Sequence, residues 1–563
     1  MAFNIIGLSA GHDSACCLLR DGVLVAAVQE ERFTRIKNDG ALPLQAFEFC
    51  LRQAGLARAD IGAIAYFEEP QARAARLRGM AERPGIAPAR RAQWLAQAQA
   101  VPDAAGLQAA LGCGAPVHFI AMPAAHAAGA YYFSGYDDAA ILTVDGPGGM
   151  CAGSMAHGAA GHITPLADDP SPHTPALLYS AVTAYLGFEV NEGEYKVMGL
   201  APYGQAHQLE RLRHLLATSA DGAMRLELAY FDLDGGQLFS PALEALLGRP
   251  ARQPGGALDA FHADVARSLQ LLFEEIMLDK ARQLHALAPS ANLCLAGSAA
   301  LNCVANARVL RDGPFERLFV QPAAGGAGAA LGAAATLARR MPGQAPSRER
   351  LRHLSWGPEY SQPEIDAVLA HAGLAGQRFA GDDVALGQAV AARLAQGRVV
   401  AWFQGRVEFG ARALGNRSIL ADPRDGAMRA RINALVKLRE GFRPFAPMVL
   451  AEKMRDHLAL DHLAPFMTET CQVKSPLALP AVTHVDGTAR VQTVDAHAPA
   501  RLLALLRAFD ALTACPVLLN TSFNVKGEPV VCTPGDAVRC YLAVDIDCLV
   551  IGDVLLEKAA FSW

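Results

Sequence analysis

The sequence predicts a mixed α/β (α+β) chain of two domains, the first of them built from two related halves. Strand-like runs meet Gly-rich turns in one order at "NIIGLSAGHDSACCLLRDGVLVAAVQEERFTR" and again at "AAILTVDGPGGMCAGSMAHGAAGHITPLA". Helical stretches alternate with such runs along the chain. Composition then shifts near 341 to 357, where "MPGQAPSRERLRHLSWGPEY" concentrates Pro, Gly and charge, the mark of a domain boundary. A chain of 563 residues is also too long for a single core.

Taken in order, the first strand and its Gly-rich turn lead to a second strand, and Asp21-Gly22 between apolar runs predicts a hairpin to a third. Residues 70 to 112 are Ala- and Arg-rich at helical spacing with prolines between, which predicts a peripheral helical insertion with a solvated basic face. The second strand-turn plan ends its first strand at Asp145. Residues 258 to 287 form the clearest amphipathic helix and lead into the strand "ANLCLAG". The first domain is therefore expected over 1–345 and the second over 355–563. The second is expected to open with a helix over about 363–395, to continue in the strand "GRVVAWFQG" and to close in "DCLVIGDVLL".

Bulk numbers exclude several classes of function. Hydrophobic residues make up 52% and charged residues 19%, far from the disordered class. Fifty basic against 55 acidic residues give a net charge of −5, so there is no general field for a phosphate backbone and nucleic acid is not an expected partner. No leader pattern and no long apolar run occur, which predicts a soluble, cytoplasmic protein with no membrane partner. The 12 cysteines are scattered, as buried thiols are rather than a zinc or disulfide framework.

Several segments carry chemistry. The turns at Gly7 to Ser14 and Asp145 to Gly149, including Gly146, follow apolar strands and let backbone N–H groups approach a phosphate. "LAGSAALNCVANARV", with Gly297 and Asn302, and "QPAAGGAGAALGAA" place small residues where an adenine-ribose unit could come close; tight helix-strand packing explains them equally well. The second domain gathers Arg406, Arg412, Arg417, Lys437, Arg439 and Arg443 with few acids between, then Arg490, Ser522 and Asn524. Guanidinium forks suit phosphate and carboxylate oxygens, and lysine supplies a mobile point charge, so an anion-binding cleft is expected there. In "AMPAAHAAGAYYFSG" a single histidine, His126, sits in a small-residue run, and the position four before it is Met122.

These segments carry a resemblance. "GHDSACC", "EERFTR", "GEYKVMGLAPYG", "GRVEFGARALGNRSILADPR", "FRPFAP", "HVDGTARVQTV" and "NTSFNVKGEPVV" resemble the O-carbamoyltransferases of antibiotic and nodulation-factor biosynthesis, the NodU/CmcH type, over nearly the whole chain. The resemblance implies an N-terminal domain of the actin/Hsp70-like ATPase superfamily, similar to the Kae1/TsaD subunit of threonylcarbamoyl-tRNA synthesis, and a C-terminal YrdC-like domain. It implies that the YrdC-like half makes carbamoyl adenylate from carbamoyl phosphate and ATP, with magnesium accompanying the nucleotide, and that the Kae1-like half transfers the carbamoyl group to a small-molecule acceptor. Arg412, Lys437, Arg443, Arg490 and Ser522 then stand at donor- and nucleotide-binding positions, with Lys437 and Arg443 among the catalytic groups, and the Asn524 amide beside Ser522 suits an amide-like donor. Asp145 and His12 are the catalytic candidates of the transfer half, His12 polarising or deprotonating the acceptor.

The family pattern also carries H-x-x-x-H and two aspartates that bind divalent iron. Here His126 and Asp145 remain, while Met122 and Gly326 stand where the other two ligands belong. A thioether is a poor ligand for this ion and glycine offers none, so weak metal binding or an empty site is expected. Asn38, Ser298 and Ala411 are further departures, and only Ala411 falls in the long C-terminal motif. The expected function is an ATP-dependent carbamoyltransferase of specialised metabolism that runs without iron. Open alternatives are an adenylating enzyme with another acyl donor or acceptor, a regulatory nucleotide-binding module and, last, a tRNA-modifying enzyme. The acceptor's identity and the oligomeric state are left open.

Overall fold

Asp21 and Gly22 both take left-handed φ, +50° and +79°, so the predicted two-residue hairpin forms between the strands Ala15–Arg20 and Val23–Gln29. A computed structural model describes residues 2–82, 86–99, 101–146, 151–217, 224–234 and 236–558. It is mixed α/β and divides into two compact units. Met1–Val25 with Ala41–Arg350 form the first, and Ala26–Gly40 with Leu351–Trp563 the second.

The first unit holds two five-stranded sheets. In one, β1 (Asn4–Ser9), β2 (Ala15–Arg20), β3 (Val23–Gln29), β4 (Ile61–Phe67) and β5 (Val117–Ile120) run in the order β3-β2-β1-β4-β5. In the other, β6 (Asp138–Val144), β7 (Cys151–Ala159), β8 (His162–Pro170), β9 (Asn292–Ala296) and β10 (Arg317–Val320) run in the order β8-β7-β6-β9-β10. In each sheet the first strand lies between its antiparallel hairpin partner and a parallel strand from later in the chain. That repeated order is the pair of related halves the sequence suggests. Their parallel central strands end together at their carboxyl edges, the place where ligands bind in open α/β sheets.

Each half closes with a helix, Met122–Ser134 in the first and Gly326–Arg340 in the second. The small residues around His126 are there for this contact. A Cβ on Gly129 would lie 2.8 Å from Gly328 O, and one on Gly332 would lie 1.7 Å from Ala125 O, so the two helices meet backbone to backbone. Between β4 and β5 the insertion forms helices Pro70–Ala81, Pro88–Gln99 and Ala104–Leu111. The first two enclose a small core of Ala74, Leu77, Ala81, Ile86, Trp94 and Ala98. The long amphipathic helix runs Ala260–Leu287, its first turn capped by Asp259, which accepts from His262 N.

The second unit is built on one sheet of eight strands: β11 (Gln377–Arg378), β12 (Val400–Phe403), β13 (Arg417–Ala421), β14 (Ala446–Leu450), β15 (Gln492–Val494), β16 (Val517–Ser522), β17 (Cys548–Ile551) and β18 (Val554–Glu557). Their order is β11-β18-β17-β12-β13-β16-β14-β15, and Trp402, Phe403, Phe509 and Phe523 lie at the centre of its core. The single helix expected over 363–395 is instead two, Gln362–His371 and Asp383–Ala395, with β11 between them. Gly373 and Gly381 at positive φ stop the helix, and Asp382, whose carboxylate accepts from Ala385 N, starts the next. All 12 cysteines are free and 10 are buried.

Candidate functional site

In the first unit the carboxyl ends of β1, β6 and β9 carry the turns of His12, Asp145 and Gly297. Gly297 has φ +87° and its Cβ would lie 2.2 Å from Val144 O, so only glycine lets the β9 turn close on Asp145. Asp145 Oδ1 accepts from Gly146 N at 2.8 Å, from Ser298 N at 3.2 Å and from the Ser298 hydroxyl. Oδ2 lies 2.8 Å from Nε2 of the buried His126, within ion-pair distance, although Nε2 has no partner at full hydrogen-bond geometry. Burial alone would raise the Asp145 pKa. His126, Ser298 and the Gly146 N–H outweigh it and hold the carboxyl at about 2. The remainder of the predicted Gly-rich turn, Gly148 and Gly149, lies outside the described residues.

Iron does not fit these residues. Met122, one helical turn before His126, is buried. A Cβ on Gly326 would lie 2.6 Å from His12 O and 3.2 Å from Asp13 O, so the backbone of the His12 turn fills the space an aspartate at that position would need. Asp145 is already supplied with donors from the protein, and among the described residues no group of three His, Cys, Asp or Glu side chains converges. His12 itself is exposed on its turn. Asn302, expected beside a nucleotide, caps helix Cys303–Asp312 by accepting from Ala305 N at 3.0 Å, and it exchanges amide hydrogen bonds with Gln270 at 3.0 and 3.1 Å.

The basic insertion is not simply solvated. Arg73 and Arg76 of helix Pro70–Ala81 turn inward and are half-buried, whereas Arg78 is exposed. Arg73 Nε lies 3.5 Å from Glu68 Oε1, and its Nη1 sits 3.2 Å from where a Gly11 Cβ would be. Burial raises the Glu68 pKa, Arg73 and Arg76 oppose that rise, and nearby Asp145 adds to it. Burial lowers Arg76 against the pull of Glu68. The three residues join the Asp145 region, and the sequence signal for them is the i, i+3 spacing of Arg73 and Arg76 beside the buried Ala74 and Leu77.

In the second unit Lys437 follows a single π-turn, Ile432–Val436, closed by Lys437 N donating to Ile432 O at 2.8 Å. That turn buries the ammonium against the end of β16. Nζ donates to Ser522 O at 2.6 Å, Asn524 Oδ1 at 2.7 Å, Asn524 O at 2.9 Å and Ser522 Oγ at 3.3 Å. The Ser522 hydroxyl donates to Asn524 Oδ1 at 2.6 Å. Lys437 is therefore held, not the mobile charge expected of a lysine. Burial pushes its pKa well below the usual value, and Arg439, Arg443 and Lys37 push the same way. Four cations thus share one neighbourhood, with Glu440 3.6 Å from Arg443 as an interleaved acid.

Arg412 lies on the loop from Glu408 to Arg417. The buried Glu408 carboxylate accepts from Leu414 N at 2.7 Å and Asn416 N at 2.8 Å. Two strands hold the same loop from beneath: Asn520 Nδ2 donates to Ala413 O at 3.1 Å and Gln492 Nε2 to Leu414 O at 2.8 Å. Asn520 Nδ2 also donates to Gln492 Oε1 at 2.8 Å, so the Arg412 loop rests on two tied strands; Lys437, Ser522 and Asn524 meet at the end of one of them, while Arg490, two residues before Gln492, pairs with Thr470 in a separate two-stranded sheet. Three cations counted toward the cleft have other duties. Arg406 donates to Gly357 O at 2.9 Å and Arg439 to Asn433 Oδ1 at 2.7 Å. Arg417 is fully buried, 3.6 Å over the Phe403 ring, and burial lowers its pKa to about 10. A family model of the carbamoyltransferase N-terminus matches residues 4–335, and one of the carbamoyltransferase C-terminus matches residues 391–558. The chain belongs to the carbamoyltransferase family.

Relatives within this carbamoyltransferase family span the chain to different extents. The uncharacterized protein sll1178 of Synechocystis is 41% identical over 99% of this chain and 97% of its own. Nodulation protein NolNO of Sinorhizobium fredii is 38% identical over 98% of this chain and 80% of its own. The 3'-hydroxymethylcephem-O-carbamoyltransferase of Streptomyces clavuligerus is 36% identical over 48% of this chain and 49% of its own. This carbamoyltransferase has no helix, among its described residues, long and apolar enough to cross a membrane.

Proposed function

We propose that this carbamoyltransferase activates carbamoyl phosphate with ATP in its second, YrdC-like unit and transfers the carbamoyl group to a hydroxyl of a small metabolite in its first, Kae1-like unit. The observation that carries the reading is the Lys437 clamp on the Ser522–Asn524 turn, set among Lys37, Arg439 and Arg443 in the unit matched by the C-terminal family model. Water cleaves the P–O bond of carbamoyl phosphate, inorganic phosphate leaves, and the carbamate that remains is a poor electrophile. Its oxygen attacks the α-phosphorus of ATP, the bond from that phosphorus to the bridging oxygen breaks, and pyrophosphate leaves. Arg412, Arg443 and Arg490 hold the phosphate charge, while Lys437 fixes the Ser522 hydroxyl and Asn524 amide that orient the carbamoyl group. Magnesium accompanies the nucleotide as a charge carrier.

In the transfer step the acceptor oxygen bonds to the carbamoyl carbon and AMP leaves with the former mixed-anhydride oxygen. His12, exposed on its turn, takes the acceptor proton, and Asp145 fixes the neighbouring backbone through Gly146 and Ser298. Gly146, with open space where a Cβ would stand, leaves room for a phosphate beside Asp145, and Gly297 keeps the β9 turn close to it. The name of the S. clavuligerus relative supports a hydroxyl acceptor. Carbamoyl-phosphate-dependent exchange of labelled pyrophosphate into ATP tests the activation step, and its absence sinks this reading. A second reading, in which the first unit only binds nucleotide and regulates, draws on Met122, Gly326 and the engaged Asn302. It predicts unchanged product formation in His12→Ala.

A further inference from the structure

Residues 26–40, which carry "EERFTR", group with the second unit although they precede most of the first in sequence. We propose that this segment is a working part of the activating unit, with Gln29, Arg32 and Arg35 as positioning residues for the Arg412 loop and the turn beyond Asn524. The proposal rests on the reading that this unit forms carbamoyl adenylate.

The first grip is on Gly410, two residues before Arg412. Gln29 and Arg32 are each 3% exposed. Gly410 N donates to Gln29 Oε1 at 3.0 Å, and Arg32 Nη2 donates to Gly410 O at 2.9 Å and to Gln29 Oε1 at 3.2 Å. Both polar groups of one residue are held by two side chains that hold each other. Gly410 has φ +114°, one of the many conformations open to a glycine, and these contacts select it. Downstream of Arg412 the Glu408 carboxylate and Asn520 fix residues 413 to 416. Arg412 is thus bracketed on both sides, and its guanidinium has less freedom to lose when an anion binds.

The second grip is on the turn after Asn524. Arg35 Nη1 donates to Val530 O at 2.6 Å and Nη2 to Pro529 O at 2.8 Å, two parallel bonds from one planar fork. The same guanidinium lies 3.8 Å from Asp536, whose carboxylate accepts from Thr533 N at 2.9 Å. At its other end the turn is closed by Asn524 Nδ2 donating to Glu528 O at 2.7 Å. Arg35 therefore fixes the far side of the loop whose near side Lys437 fixes. Burying Arg32 beside its ion-pair partner Glu31 costs desolvation, an arrangement better suited to geometry than to stability.

The test uses the full chain with Gln29→Ala, Arg35→Ala and the conservative Arg35→Lys, read by amide hydrogen exchange and by carbamoyl-phosphate-dependent ATP–pyrophosphate exchange. Gln29→Ala is expected to speed amide exchange over 408–417 and Arg35→Ala over 524–533, each leaving the other segment as in wild type. In the kinetic arm KM for carbamoyl phosphate or ATP rises about tenfold while kcat stays within about threefold, since looseness taxes binding. Arg35→Lys falls between, and added guanidinium restores Arg35→Ala in part. A merely destabilised protein would instead lose active fraction, lowering kcat at constant KM. Wild-type amide exchange in both segments, or unchanged KM in folded variants, overturns the proposal. A wild-type enzyme without pyrophosphate exchange overturns the functional reading, and the amide-exchange arm then still decides whether the segment holds the two loops.

Discussion

Asp145 in the first unit and Lys437 in the second are both polar centres engaged by the protein, one by donors and the other by acceptors. Asp145 takes its donors from Ser298 and Gly146 and lies within ion-pair distance of His126, on separate elements. Lys437 takes nearly all its acceptors from one short turn, Ser522 to Asn524. The departures from the family pattern divide unevenly. Met122, Gly326 and Ser298 lie in the first unit with Asp145, whereas Asn38 and Ala411 lie in the second, Ala411 being the one change in the long C-terminal motif. A carboxylate held from several elements can lose a metal and be re-satisfied by a neighbouring hydroxyl. An ammonium held by one turn has no such substitute, because every acceptor moves when the turn moves.

The sharpest way to break the comparison is Lys437→Met. It strands four acceptor contacts and should lower pyrophosphate exchange by about 10²–10³-fold, measured as initial rate. Asp145→Asn should leave pyrophosphate exchange within about twofold and reduce carbamoylated product by about 10²-fold, measured by mass spectrometry of acceptor mixtures. Chelator treatment followed by magnesium should leave product formation unchanged, and metal analysis should find iron far below one per chain; Met122→His alone should not restore it, because Gly326 still lacks a side chain. Ser298→Ala removes one donor to Asp145 and should cost about 1 kcal/mol in urea unfolding.

The smallest expected effect concerns pH. Hydrogen bonding to Glu469 raises the half-exposed His462 to about 9, against the effect of burial. Its folded pKa lies above the ordinary value of about 6.5, so the stabilisation is complete below that value and disappears as pH rises through about 9. His462→Gln should lower Tm slightly at pH 6 and not at all near pH 10, read in parallel melts.

Much of the scaffold was legible in the sequence because it rests on local signals. The Asp21-Gly22 hairpin and the repeated strand-turn plan fix the antiparallel neighbours through short connections, and both appear in the structure. The helix expected over 363–395 failed at Gly373 and Gly381, where two left-handed glycines outweigh a run of good helix formers. Site residues were legible by type and less so by role. Lys437 finds its acceptors 85 and 87 residues away, a separation no local pattern reports. Arg417 looked like an anion binder and is a core residue stacked on Phe403, while Arg73 and Arg76 looked solvated and face Glu68. Helical spacing says which residues share a face, and the tertiary fold decides which face meets the site.

The most direct test of the account is carbamoyl-phosphate-dependent ATP–pyrophosphate exchange measured side by side in wild type, Lys437→Met and Asp145→Asn. Activation in the second unit predicts wild-type exchange in Asp145→Asn and its near-complete loss in Lys437→Met. Equal loss in both variants would contradict the assignment of activation to the second unit and of transfer to the first.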